Sequence, residues 1–183
     1  MTALPSQKLT VDEFLVWAEG QNRLELHDGI VVQLAAERVG HARVKFSVQR
    51  ALEDGVKTAK LDCVVFPDGV SVRIADDVCY EPDALVYCGP PLPADALEVP
   101  NPVIIVEVLS PSTQHIDIGR KLTGYMTLPS VVHYLIIDPL RPPLVHHQRM
   151  ADGTILTHLV RGGTLRLEPP GIEIDLAPVF TNS

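Results

Sequence analysis

Val103-Ile104-Ile105-Val106-Glu107-Val108-Leu109 is the most apolar run in the chain, and its reading decides the fold. A Val/Ile-rich run of this length, closed off by Pro111, describes a strand buried on both faces at the centre of a sheet. Beyond Pro111, Ser112 or Thr113 can cap a helix over Ile116 to Leu128, and His133 to Ile137 then reads as a second strand. Strand, helix and strand at this spacing imply a parallel crossover. Glu107 interrupts the run, whose other six residues are apolar. A buried, unpaired carboxylate costs several kcal/mol, so the fold must supply it with a cation, hydrogen-bond donors or a proton.

A second carboxylate is placed to meet it. In Glu81-Pro82-Asp83-Ala84-Leu85-Val86-Tyr87 a turn proline gives way to an apolar run, with Asp83 at the boundary. Two carboxylates on adjacent strands make a hard-oxygen site suited to Mg²⁺ or Mn²⁺. Phosphodiester hydrolysis needs such an ion, together with groups that position the water and the leaving oxygen. Asp83 and Glu107 are therefore the candidate metal ligands. Lys121, on the helix that follows, is the candidate cation for orienting the nucleophile or stabilising developing charge. Plainer readings exist: Pro-Asp pairs are common in turns, and Lys121 stands four residues after Asp117, where an i, i+4 ion pair contributes ~0.3 kcal/mol. Glu25 and His41 form a second tier. Glu25 can ligate a metal from its hairpin or face water; His41, at a helix start, can meet a phosphate, a metal or a water. His146 and His147 are adjacent on a strand, point to opposite faces and read as structural.

The remaining elements fall around this centre. Thr10-Val11-Asp12-Glu13 is a capping box for a helix through Glu19, ended by Gly20. Arg23 to Leu34 alternates about Asp28-Gly29 as a hairpin, with Glu25 and His27 on one face. Val44, Val48, Ala51 and Leu52 recur at helical spacing from His41 to Asp54, with Gly55 as a stop. Arg43, Lys45 and Arg50 lie largely outside that stripe. Strands are expected at Leu61 to Phe66, Val70 to Ile74 and Ala84 to Tyr87, and an irregular surface loop over the proline-rich 89–102. From Leu144 to Leu176, Asp152-Gly153 and Gly162-Gly163 are hairpin signals among antiparallel strands.

Composition sets the class. The 183 residues suit one domain, and 46% apolar with 21% charged residues is ordinary for a soluble protein. No run reaches the roughly 20 apolar residues of a membrane span, and no signal pattern opens the chain, so a cytoplasmic protein is expected. Cys63, Cys79 and Cys88 suggest neither a disulfide framework nor a zinc site, and read as buried free thiols. The net charge of −8 argues against indiscriminate attraction to nucleic acid. Its distribution is uneven: residues 37 to 60 carry +3, whereas residues 61 to 119, which hold Asp83 and Glu107, carry −9. Asp76, Asp77, Asp95 and Glu98 read as solvated loop residues within that total.

The strings Arg23-Leu24-Glu25-Leu26-His27-Asp28-Gly29, His41, Glu81-Pro82-Asp83-Ala84-Leu85-Val86 and Val106-Glu107-Val108-Leu109-Ser110-Pro111-Ser112-Thr113, then Asp117, Lys121 and Tyr125, together resemble the Uma-type restriction endonuclease family. That family belongs to the restriction-endonuclease-like, or PD-(D/E)XK, superfamily. The likeness spans about Thr10 to Phe180 and implies one α/β domain: a mixed β-sheet flanked by helices, with an N-terminal hairpin and C-terminal antiparallel strands. It also implies Mg²⁺-dependent cleavage of DNA at a site built from Glu25, His41, Asp83, Glu107 and Lys121. The lysine that the wider superfamily places two residues after the glutamate is Leu109 here, with Lys121 as its replacement. On this reading Arg43, Lys45 and Arg50 supply contacts to the DNA backbone, and cutting both strands calls for a homodimer. The alternatives are an inactive nuclease fold serving as a binding or regulatory subunit, and a metal-dependent hydrolase of a small phosphoester.

Overall fold

A computed structural model describes residues 4–21, 23–109 and 117–181. The Ser110-Pro111-Ser112-Thr113 string and its expected helix cap lie outside them. The central run forms the strand Ile104–Val108 (β7), and the helix Asp117–Thr127 (α3) leads from it to His133–Ile137 (β8). β7 and β8 pair in parallel, with Ile104 opposite His133 and Val108 opposite Ile137. The expected crossover is present.

The N-terminal part builds the elements that later reach the site. Helix α1 (Val11–Ala18) opens on the Thr10–Glu13 capping box. Strands β1 (Leu24–His27) and β2 (Ile30–Gln33) turn at Asp28 and Gly29, both at positive φ, as a tight two-residue hairpin requires. Helix α2 (Val39–Ala59) follows, and then β3 (Val64–Pro67), β4 (Val72–Ala75), β5 (Val78–Tyr80) and β6 (Ala84–Tyr87). β5 has only three residues and gives no periodic signal, so the sequence did not anticipate it. It joins β2, β1 and β4 in a four-stranded sheet of order β2-β1-β5-β4.

The central sheet has six strands in the order β10-β9-β8-β7-β6-β3, with β9 spanning Leu144–Arg149 and β10 spanning Ile155–Val160. β8 and β7 are its parallel pair; the other neighbours are antiparallel. Side-chain alternation divides the core. Ile104, Val106 and Val108 pack with Val44, Val48, Leu52 and Val56 of α2, whereas Ile105 packs with Tyr125 of α3 and with Tyr80, Leu85 and Tyr134. Glu107 therefore shares the face of Ile105 and points toward α3.

Three expectations are corrected. Gly55 does not stop α2, which continues to Ala59 and ends on Lys60 in the left-handed conformation; Gly55 is there because a Cβ would stand 2.9 Å from the carbonyl oxygen of Glu173. Gly162-Gly163 is not a hairpin turn. The chain leaves the central sheet there and forms a separate pair, β11 (Thr164–Leu167) with β12 (Ile172–Asp175), packed on α2 and followed by the short helix α4 (Ala177–Thr181). Cys63 and Cys88 are not free thiols but a disulfide. They extend the β3–β6 ladder by one step beyond Val64 opposite Tyr87, a register invisible in the cysteine spacing. Cys79 is free and buried, which pushes its thiol up to about 12. No helix among the described residues is long and apolar enough to cross a membrane.

Candidate active site

At the end of β7 the fold gathers two buried ammonium groups, each shared among carboxylates. Lys121 is one turn into α3 and projects onto the strand. Its Nζ lies 2.7 Å from Oε1 of Glu25 and 2.9 Å from Oε1 of Glu107. The Tyr125 hydroxyl, one helical turn further, donates to the same Glu107 oxygen at 2.8 Å. Glu25 is 1% exposed and is fully engaged: His27 contacts its Oε2 at 2.8 Å and the Glu81 backbone N–H donates to its Oε1 at 3.0 Å.

These surroundings set the two carboxyls apart. Burial raises the Glu25 pKa, but the Lys121 charge and the hydrogen bonds from His27, Lys121 and Glu81 outweigh it, so Glu25 is held below its ordinary value as the carboxylate. Burial pushes Glu107 up to about 8; Lys121 opposes this, while the charges of Asp83 and Glu25 add to it. One lysine cannot neutralise two buried carboxylates, and the less well hydrogen-bonded of them keeps a proton. Tyr125 is pushed well above its ordinary value, chiefly by burial, and stays a donor.

The second ammonium was not foreseen in this role. Lys45 is 4% exposed, with Nζ at 2.5 Å from Glu37, 2.5 Å from Asp68 and 3.1 Å from Asp83. Asp68 and Asp83 occupy the next step of the β3–β6 ladder, beyond Pro67 opposite Ala84, and Lys45 bridges the two like charges. Burial alone would lower the Lys45 pKa, but the three carboxylates raise it above its ordinary value. Glu37 also meets Arg23. Burial works against its ionisation, yet hydrogen bonds from Lys45 and Arg23 bring it down to about 2.

His41 completes the cluster. It is buried, and its Nε2 lies 2.7 Å from the Val108 carbonyl oxygen. A carbonyl only accepts, so Nε2 carries a proton, and in the neutral ring Nδ1 is the lone-pair nitrogen. Nδ1 has no hydrogen-bond partner and stands 3.6 Å from Oε2 of Glu37. Asp83 is fixed by the Val108 N–H, which donates to its Oδ2 at 2.6 Å. Glu37, His41 and Asp83 each offer one ligand atom, all within 4.8 Å of one another. Two carboxylate oxygens and an imidazole nitrogen fit a divalent cation of the Mg²⁺, Mn²⁺ or Zn²⁺ kind.

All five residues singled out from the sequence come to this place. Asp83, Glu107, His41 and Lys121 line one cleft with Glu37 and Arg23, and Glu25 stands directly behind Lys121. Asp83 and Glu107, the two carboxylates read from the sequence as ligands, line the same cleft with different immediate partners. Asp83 joins Glu37 and His41, while Glu107 joins Lys121 and Tyr125. Glu37 was missed, and Lys45 was read only as a contact to the DNA backbone, although it stands one helical turn beyond His41 on the same face of α2. Arg43, Lys45 and Arg50, read from the sequence as contacts to the DNA backbone, fall in two places. Lys45 is buried in the site. Arg43 and Arg50 lie about 180–200° around α2 from His41, and Arg50 stacks on the exposed Phe46 at 5.8 Å. The cleft is small, about 70 Å³, far below the roughly 300 Å³ at which small-molecule pockets begin.

Comparison with known proteins gives the family. The model of the Uma2 family, described as "Putative restriction endonuclease", matches residues 11–178. The chain belongs to the Uma2 family. Two proteins similar to it come from Synechocystis sp. (strain ATCC 27184 / PCC 6803 / Kazusa). "Uncharacterized protein sll1609" is 27% identical over 172 residues, 92% of this chain and 96% of its own length. "Uncharacterized protein slr1290" is 26% identical over 151 residues, 81% of this chain and 78% of its own length. The crystal structure of a "putative nuclease belonging to DUF820" from Anabaena variabilis ATCC 29413 superposes with a TM-score of 0.74, at 15% identity, across 95% of this chain and 98% of that one. That likeness establishes a shared mixed α/β fold.

Proposed function

We propose that this Uma2 protein is an endonuclease that hydrolyses DNA phosphodiester bonds with the help of a divalent ion, Mg²⁺ or Mn²⁺. The observation that carries the reading is the cluster of Glu37, His41 and Asp83, one ligand atom of each within 4.8 Å of the others, in the same cleft as Glu107 and Lys121. An ion held by Glu37, His41 and Asp83 would offset the phosphate charge and acidify a water. The chain's own part is positional. The Val108 N–H aims Asp83, the Val108 carbonyl fixes the His41 tautomer, and Glu25 holds the Lys121 ammonium at the cleft wall. That ammonium is the group for charge building up on a phosphoryl oxygen. Glu107, protonated near neutral pH, is placed to give or take a proton. The narrowness of the cleft favours a polymer lying across its mouth over a small phosphoester enclosed within it.

The other reading, an inactive nuclease fold acting as a binding subunit, draws on Lys45, because an ammonium already bridges Glu37, Asp68 and Asp83. Supercoiled, linear and single-stranded DNA incubated with Mg²⁺ or Mn²⁺, comparing the wild type with Asp83→Asn and Glu107→Gln, separates the two. Cleavage by the wild type and at least a hundredfold less by both variants is expected. A wild type inert on every DNA form, with no heat of Mn²⁺ binding in calorimetry, would replace the enzyme with the subunit.

A further inference from the structure

β10 is the outer strand of the central sheet, and its exposure is unusual. Five of its six residues are exposed, among them Ile155 at 38%, Leu156 at 46% and Leu159 at 65%. Its sequence, Ile155-Leu156-Thr157-His158-Leu159-Val160, contains no Lys, Arg, Asp, Glu or Pro. Charges and prolines are the devices by which proteins keep sheet edges from pairing. The opposite edge, β3, has them: it ends in Pro67, is tied to β6 by the Cys63–Cys88 disulfide and packs against α2 through Val65. Among the described strands, β10 pairs with β9 alone.

We infer that β10 is the seam of a symmetric dimer, in which two copies of this chain pair their β10 strands antiparallel and join their central sheets into one. A second copy is the partner that the strand's own pattern fits. Across a two-fold axis normal to the sheet, directly opposed residues lie on the same face, so the axis passes through a residue pair. Centred on Thr157, the pairing sets Ile155 against Leu159 twice and Thr157 against itself, an uninterrupted row without charge. It also brings Arg161 of each copy alongside the Asp152-Gly153 turn of the other, opposite charges at both ends of the seam. Centring on His158 instead would oppose two imidazoles and lose the Arg161–Asp152 match. The chain carries −8, so most of its surface repels a second copy; β10 is neutral. A six-residue seam is smaller than the ~1,200 Å² at which stable interfaces begin, so association should be reversible, with a dissociation constant on the order of micromolar.

This inference does not rest on the nuclease reading, and its test uses no cleavage assay. Sedimentation velocity of the full chain over a wide micromolar range should show a monomer–dimer equilibrium in the wild type, weakened at least tenfold by Leu159→Lys, with circular dichroism reporting that the variant is folded. Register is read independently by oxidation. Thr157→Cys should give an intermolecular disulfide on a non-reducing gel and His158→Cys should not, since Cys63 and Cys88 are already joined and Cys79 is buried. A wild type that stays monomeric at every concentration, a Leu159→Lys protein that dimerises as tightly, or crosslinking through His158→Cys rather than Thr157→Cys would overturn the seam.

Discussion

Replacing Glu107 by Gln should make the metal-free protein more stable than the wild type at pH 7, and by a wider margin at pH 9. Glu107 is 9% exposed, and burial, with the Asp83 and Glu25 charges, raises its carboxyl from 4.5 to about 8. A group whose folded value lies above its unfolded one favours the folded state most while protonated. Its contribution is full below pH 4.5 and drains away as the pH climbs through 8. At pH 7 the group is still about nine-tenths protonated in the folded state; by pH 9 it is about nine-tenths ionised. The wild type should thus lose about 1.4 kcal/mol from this one residue between pH 7 and pH 9. The neutral amide of Glu107→Gln can still accept from Lys121 and Tyr125, and it has no proton to lose. Urea denaturation of both proteins at pH 7 and 9, with chelator present, isolates the term, because every other titrating group is common to both. The difference between their pH slopes should be about 1 kcal/mol or more over these two units. Identical slopes would refute a protonated Glu107, and with it the idea that one lysine is shared unequally between two carboxylates.

Lys121→Met removes the ammonium from both Glu25 and Glu107 and leaves two carboxyls buried without it; a loss of about 3–5 kcal/mol is expected by denaturation, and a loss under 1 kcal/mol would mean the pair is solvated. Lys45→Met releases Glu37, Asp68 and Asp83 from a competing cation, so its midpoint should fall without metal and rise with saturating Mn²⁺ by more than the wild type's does, as thermal unfolding with and without the ion reports. Reduction of Cys63–Cys88, or Cys63→Ala with Cys88→Ala, opens a loop of 25 residues and should cost about 2–4 kcal/mol in urea. Gly55→Ala would raise stability by up to about 1 kcal/mol in an ordinary helix, but its Cβ would stand 2.9 Å from the Glu173 carbonyl oxygen, so a net loss is expected.

Where local pattern and tertiary environment agreed, the fold was legible. β7, α3 and β8 were readable because a Val/Ile run, a proline stop and a helical stretch left one economical topology. The hairpin at Asp28-Gly29 was readable because that turn demands positive φ at both positions, which these residues tolerate. What failed depended on partners far along the chain. Gly162-Gly163 has the local chemistry of a hairpin turn, but the strand after it finds more apolar surface beneath α2 than beside β10. Gly55 has the chemistry of a helix stop, but the close approach of β12 requires a residue without a Cβ. The cysteines were unreadable for a similar reason, since nothing but the β3–β6 register makes Cys63 and Cys88 neighbours.

In the site, the division between what was legible and what was not follows the two ammonium groups. Glu107 announced itself because a carboxylate in an apolar strand must be explained, and that search led to Lys121 and Asp83. Lys45 gave no such sign. It adjoins Val44 in sequence, stands about 100° around the helix from it, and looks like any solvated lysine flanking an apolar stripe. Its burial comes from outside α2: Asp68 and Asp83 are brought side by side by the β3–β6 ladder, and their mutual repulsion needs a cation between them. The two lysines therefore do different work. Lys121 sits deep, between Glu25 and a protonated Glu107, and its removal leaves buried charge that nothing replaces. Lys45 sits among Glu37, Asp68 and Asp83, two of which are also candidate ligands, so an arriving divalent ion and the ammonium compete for the same oxygens. That competition leaves the acidic cleft only partly neutralised without metal, and would weaken its hold on the proposed ion.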